Sequence, residues 1–180
     1  MSFNIAEIRR FAGLSDNDAV LLASMKPALQ NHSDQLIEAF YANLDQVPQL
    51  NQLLDAQPER REKLQAHLKA WLVSLATGTY DETYQEKRYK IGQRHVEVGL
   101  DPRWVIGAMS FCRGQIPLIV ESEYGSEANK AERVLALDRV MDLDLNIMLQ
   151  SYDDKRMEMF LETTGFSKAL FESMISSADS

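Results

Sequence analysis

The chain of 180 residues is 45% hydrophobic and 26% charged, the ordinary balance of one globular domain and too little length for two domains and a linker. Its net charge of −8 repels a phosphate backbone, which excludes nucleic acid as the expected partner. No apolar run approaches the roughly 18 residues that span a bilayer, the single Cys112 closes no internal disulfide, and the start Met1-Ser2-Phe3-Asn4-Ile5 lacks the parts of a signal peptide, so a cytoplasmic protein off the membrane is expected.

With 8 Gly and 5 Pro and no alternating stretch bounded by Asn-Gly or Asp-Gly, hairpins have no foothold and the chain reads all-α. A short helix is expected around residues 5–11. Ser15-Asp16-Asn17-Asp18 has the form of a capping box; it opens a helix carrying Val20, Leu21, Leu22, Met25 and Leu29, interrupted near Pro27. The next helix is expected to start near Ser33 or Asp34, with Leu36, Ile37, Phe40, Tyr41 and Leu44 on one face. Pro58 suits the first turn of a further helix with the stripe Leu64, Leu68, Trp71 and Leu75, ending toward Gly78. His67 flanks that stripe.

Thr83-Tyr84-Gln85-Glu86 reads as another capping box and Gly99 as a left-handed cap, bracketing a helix over about 84–98 with the stripe Ile91, His95 and Val98. Asp101 and Pro102 supply the cap and first residue of a long helix reaching about 124 or 125, with a kink expected at Pro117. The helix after it, from about 127 to beyond 152, carries two stripes: Val134, Leu137, Met141, Leu145 and Met148, and Ala136, Val140, Leu143 and Ile147. Two apolar faces need two coverings. One is the chain's own domain and the other a partner, most simply a second copy, so a homodimer through the last two long helices is expected. Beyond it Phe166, Leu170 and Met174 recur at four-residue steps before a Ser-rich end. The expected division is 1–155 for the domain and 156–180 for a helical linker.

His67 and His95 occupy or flank an apolar face, where an unpaired imidazole costs about 1 to 3 kcal/mol. Each is therefore hydrogen-bonded, ligated to a metal or neutralised by burial, and a core histidine bonded to a backbone carbonyl is the plain alternative for either. His32, beside Asn31 and Ser33, is expected in a solvated turn. No Glu-x-x-His pair is present for a di-iron bundle, and no His-Glu-x-x-His for a helical zinc site. A phosphorelay histidine would stand exposed, whereas Ile91 and Val98 flank His95. What remains is an apolar slot between two helices, one His from each and the Tyr41 phenol nearby, which suits a haem; without Cys-x-x-Cys-His it would be held non-covalently. Met141 and Met148 read as core filler and Cys112 as an inert buried thiol.

The run Phe40-Tyr41-Ala42-Asn43-Leu44, the segment from Glu86-Lys87-Arg88-Tyr89 to His95-Val96-Glu97-Val98-Gly99-Leu100, and Pro102-Arg103-Trp104-Val105-Ile106-Gly107-Ala108 resemble the globin domain of globin-coupled sensors. These are bacterial haem-based gas sensors whose globin domain precedes a diguanylate cyclase, chemotaxis or other output module. The resemblance spans about residues 10–150. It implies a globin fold with an extra N-terminal helix, haem b (iron protoporphyrin IX) as cofactor, and O2, CO or NO as ligand. His95 matches the proximal iron ligand, Tyr41 the distal tyrosine that hydrogen-bonds bound gas, and Trp104 a tryptophan after the proximal helix. The position after Trp104, often aromatic in the family, is Val105. The distal-helix position that commonly carries Leu, Thr or Ser falls at His67, which offers a second axial ligand and a bis-histidyl iron. Phe40, Leu64, Leu68, Ile91 and Val98 complete the expected haem-binding set.

The expected function is a gas sensor, with O2 first among the gases, that passes its ligation state to an output module following it or on a partner. A haem-free globin-like dimer in stress signalling stands as the alternative. An enzyme such as a nitric oxide dioxygenase needs an electron supply, and no Gly-x-Gly-x-x-Gly fingerprint is present, so the chain itself is not expected to be an enzyme.

Overall fold

Local capping signals set most helix starts in the computed structural model, which describes residues 4–54 and 59–178. Asn4 Oδ1 accepts from the N–H groups of Ala6 and Glu7 and opens α1 (Ile5–Phe11). Both bonds of the Ser15–Asp18 capping box are made at the start of α2 (Asp16–Ser24). The break comes at Met25, and α3 (Lys26–Leu44) begins at once with Pro27 in its first turn, where a missing N–H costs nothing. The fresh start expected at Ser33 or Asp34 is absent. Ser33 is buried in mid-helix and its hydroxyl donates to the Gln30 carbonyl at 2.7 Å, the local bond by which a helical serine satisfies itself.

A short helix that the pattern did not announce, α4 (Pro48–Leu54), precedes α5 (Arg60–Ser74). Pro58, the expected starter of α5, lies outside the described residues. Asp81 rather than Thr83 caps α6 (Glu82–Glu97), accepting from the Tyr84 N–H, and Gly99 follows its end at φ 70°. The Asp101 carboxylate accepts from the Arg103 N–H to cap α7 (Pro102–Tyr124), which runs unbroken through Pro117. Helix α8 (Lys130–Thr164) has 35 residues. Gly165, at φ 71°, stops it in the left-handed conformation that glycine adopts without penalty. Last comes α9 (Lys168–Ala178).

Helix α8 is the central strut, with α2, α6 and α7 packed around it. Its two stripes are therefore both covered within one chain: Ala136, Leu137, Val140, Met141, Leu143, Ile147 and Met148 are all at most 3% exposed. That corrects the expectation that the second stripe needs another copy. Full burial of each Leu, Ile or Met contributes about 1.5 to 3 kcal/mol, so this strut carries much of the core. Cys112 is buried in the same core, and burial pushes its thiol up to about 12, which leaves it inert as expected. On the outside, Leu118 of α7 and Leu135 of α8 stay 65% and 50% exposed.

Helix α3 lies against α5 and α7, while α6 lies against α8; α5 and α6 are not a packed pair. The end of α8 meets α9 through Phe160, whose ring centre is 5.2 Å from that of Phe171. Phe166, Leu170 and Met174, the stripe seen in the sequence, remain exposed. No strand occurs among the described residues, and no helix among them is long and apolar enough to cross a membrane.

Candidate functional site

The face of α3 predicted from its spacing forms a small apolar cluster of its own. Ile37, Tyr41 and Leu54 are buried there, with Phe40, Leu44, Leu64 and Leu68 packed around them. Phe40 links this cluster to the main core: its ring stands edge-on to Tyr41 at 5.5 Å and to Phe111 of α7 at 5.9 Å. The Tyr41 hydroxyl makes no hydrogen bond among the described residues. Burial raises its pKa, opposed by the Arg61 guanidinium, which sits 5.6 Å from the ring centre and is paired with Asp45 at 2.8 Å. The group is a neutral phenol whose hydroxyl donates to nothing among the described residues.

Helix α6 carries His95 half-buried, with Nδ1 enclosed and without a partner. Burial holds its pKa below the ordinary 6.5, so the ring is a neutral imidazole with a lone pair to give. The backbone-carbonyl bond of an ordinary core histidine is not made. Ile91, one turn earlier, packs on the edge of the main core, whereas Val98 and Trp104 are 40% and 36% exposed.

His67 is exposed on α5. By helical register it lies beside Trp71, one turn on, whose indole N–H reaches Asp144 of α8 at 2.8 Å, and beside Ser74, which is bonded to Arg88 of α6. It therefore lies on the side of α5 turned toward α6 and α8. His32 corrects the expectation of a solvated turn. It sits inside α3, half-buried, with Nε2 2.8 Å from Glu123 Oε1 of α7.

The structure thus gathers Phe40, Tyr41, Leu64 and Leu68 into one cluster and sets Ile91, His95, Val98 and Trp104 along α6 and the start of α7. Between the two sets, α5 and α6 are tied at one end, where Arg88 Nη2 donates to Ser74 Oγ at 2.8 Å, and are not packed along the rest of their length. On either side of this weakly joined pair stand the His95 imidazole of α6 and the Tyr41 phenol of α3. Among the described residues no group of three His, Cys, Asp or Glu could hold a bare metal ion. A single axial imidazole serves where a porphyrin supplies the other ligands.

Sequence reasoning missed a buried polar cluster around Asp144. Its signal was there: Asp144 falls in the α8 stripe between Met141 and Met148, where the spacing asks for an apolar residue.

The protein-family model described as Protoglobin matches residues 2–158. The heme-based aerotactic transducer HemAT of Halobacterium salinarum is 26% identical over 153 residues, which are 80% of this chain and 31% of that protein. This chain therefore spans about a third of that relative's length. The globin domain of the Geobacter sulfurreducens globin-coupled sensor has the same fold, with a TM-score of 0.78 at 30% identity over 84% of this chain and 99% of that one. A helical chain with this order of elements, matched by that family over most of its length, belongs to the protoglobin family as a globin domain of the globin-coupled-sensor type.

Proposed function

We propose that this chain is a haem-based gas-sensing domain, with O2 as the gas and an output module such as a diguanylate cyclase as the recipient of the signal. The observation that carries the reading is the neutral, half-buried His95 imidazole, which makes no hydrogen bond among the described residues. It stands on a helix that is tied to α5 at one end only. When bound, haem b would supply an iron able to take up a diatomic gas.

The chain's own residues divide the remaining work. His95 donates its lone pair from the proximal side, and Ile91, Val98 and Trp104 give that side apolar surface. Phe40, Leu64 and Leu68 exclude water around Tyr41, whose free hydroxyl donates to the gas. His67 of α5 would offer the iron a second imidazole in the absence of gas, and apparent gas affinity would then fall by the fraction of open molecules. Residues 1–155 form the sensor and 156–180 the connection, which holds the end of α8, its stop at Gly165, and α9. The exposed Leu118 of α7 and Leu135 of α8 support a homodimer through those helices.

Absorption spectra of the purified chain, ferric, ferrous and ferrous with O2 or CO, test the reading. His95→Ala is expected to lose haem while its helical circular dichroism is unchanged. Normal haem content in that variant rejects the assignment, and a wild type that takes up no haem favours the haem-free dimer.

A further inference from the structure

Four side chains from two helices gather around one carboxylate of a third. Asp144 of α8 is fully buried. Its Oδ2 accepts from the Trp71 indole N–H of α5 at 2.8 Å, and its Oδ1 accepts from the Tyr84 hydroxyl of α6. Arg88 of α6 pairs with it, Nε to Oδ2 at 2.7 Å, although that N–H is turned away from the oxygen and forms no hydrogen bond. The same guanidinium donates to Ser74 Oγ of α5 at 2.8 Å and to the Tyr84 hydroxyl at 3.2 Å. It also stands 4.3 Å from the Tyr84 ring centre.

Burying an ion pair is costly, and a well-packed apolar replacement is often neutral or stabilising. The cluster is therefore better explained by what it positions than by stability. One carboxylate oxygen is bonded to α5, the other to α6, and the carboxylate itself belongs to α8. A change in the spacing of α5 and α6 cannot keep both bonds unless Asp144, and with it α8, moves.

Further along, α6 is pressed onto α8. A Cβ at Gly92 would lie 2.9 Å from the Met148 carbonyl oxygen. Tyr89 donates to Asp154 at 2.7 Å, and Tyr152 donates to the Leu100 carbonyl at 2.8 Å. His95 lies between Gly92 and Leu100, so α6 has little freedom to shift without α8. From the geometry we infer that Asp144 is the positioning residue through which a change in the slot between α5 and α6 reaches α8, the helix that leads out of the domain. The inference rests on the haem reading above.

Hydrogen exchange measured by mass spectrometry on the haem-loaded chain, ferrous against ferrous with CO, tests it. The wild type is expected to show a ligation-dependent difference in α8 peptides beyond Met148. In Arg88→Met/Asp144→Leu, which keeps the packing volume, that difference is lost while the Soret band still reports CO binding. Trp71→Phe, which removes only the α5 donor, loses it too. A merely structural role would lower protection equally in both ligation states and leave the difference intact. Survival of the difference in both variants overturns the inference, as does its absence in a haem-loaded wild type. A wild type that retains no haem overturns the haem reading and this inference together.

Discussion

Tyr41 and His67 differ in what their surroundings allow, although each sits one residue or one turn from an apolar stripe. The Tyr41 hydroxyl has no partner among the described residues, and the residue is buried in the cluster of Ile37, Leu54, Leu64 and Leu68. Removing it takes away a hydrogen bond to ligand and little else. A neutral hydrogen bond contributes about 1 kcal/mol, so Tyr41→Phe should release O2 roughly five-fold faster, measured by stopped-flow displacement with CO. An unchanged rate would show that the phenol does not reach the ligand. His67 is exposed, and a ring free of packing can swing. The unliganded wild type is expected to give a low-spin spectrum that turns high-spin in His67→Ala; a high-spin wild type rejects His67 as a ligand.

Between α6 and α8 the determining residue is the one with no side chain. A Cβ at Gly92 would fall within contact distance of Ser151 Oγ and 2.9 Å from the Met148 carbonyl oxygen. Ser151 can turn aside, but the backbone of a fully packed helix cannot. Gly92→Ala gains about 1 kcal/mol of helix propensity, and forcing the helices apart costs about 1 to 3 kcal/mol. The balance, about 0 to 2 kcal/mol, makes a net loss of stability of about 1 kcal/mol the expected result in urea unfolding, with His95 displaced and haem held less tightly. An unchanged midpoint would mean that α6 yields easily, contrary to the tight coupling to α8 argued from Asp144.

Across the molecule, the question of assembly moves from the inside of α8 to its outside. Both stripes of α8 are spent on the chain's own core, and what the α7–α8 pair offers outward is Leu118 and Leu135. The same two helices are joined by ion pairs of Arg113 with Asp138 and Asp142. The double variant Leu118→Glu/Leu135→Glu is expected to sediment as a monomer with unchanged helical content, whereas the wild type sediments as a dimer. A wild type that is monomeric at micromolar concentration removes the dimer, and a dimeric double variant moves it to another surface.

The helices themselves were legible in the residues because their signals are local. The Ser15–Asp18 box, Asp101 with Pro102, and Gly99 act within one turn, and each does in the fold what its chemistry requires. The paired Phe40 and Tyr41 were equally readable, since helical spacing alone puts them on a face, whereas of the stripe Ile91, His95 and Val98 only Ile91 packs on the core and Val98 is exposed. Three features depended on packing instead. Ser33 resembles a cap until α3 is seen to run through it. The second stripe of α8 resembles an interface until α2, α6 and α7 close around it, because periodicity records that a face is apolar and not what covers it. Asp144 resembles a break in a stripe until Trp71 and Tyr84, 73 and 60 residues away in sequence, arrive to satisfy it. A buried charge is tolerable only when its partners converge on it, and that convergence exists only in the tertiary structure.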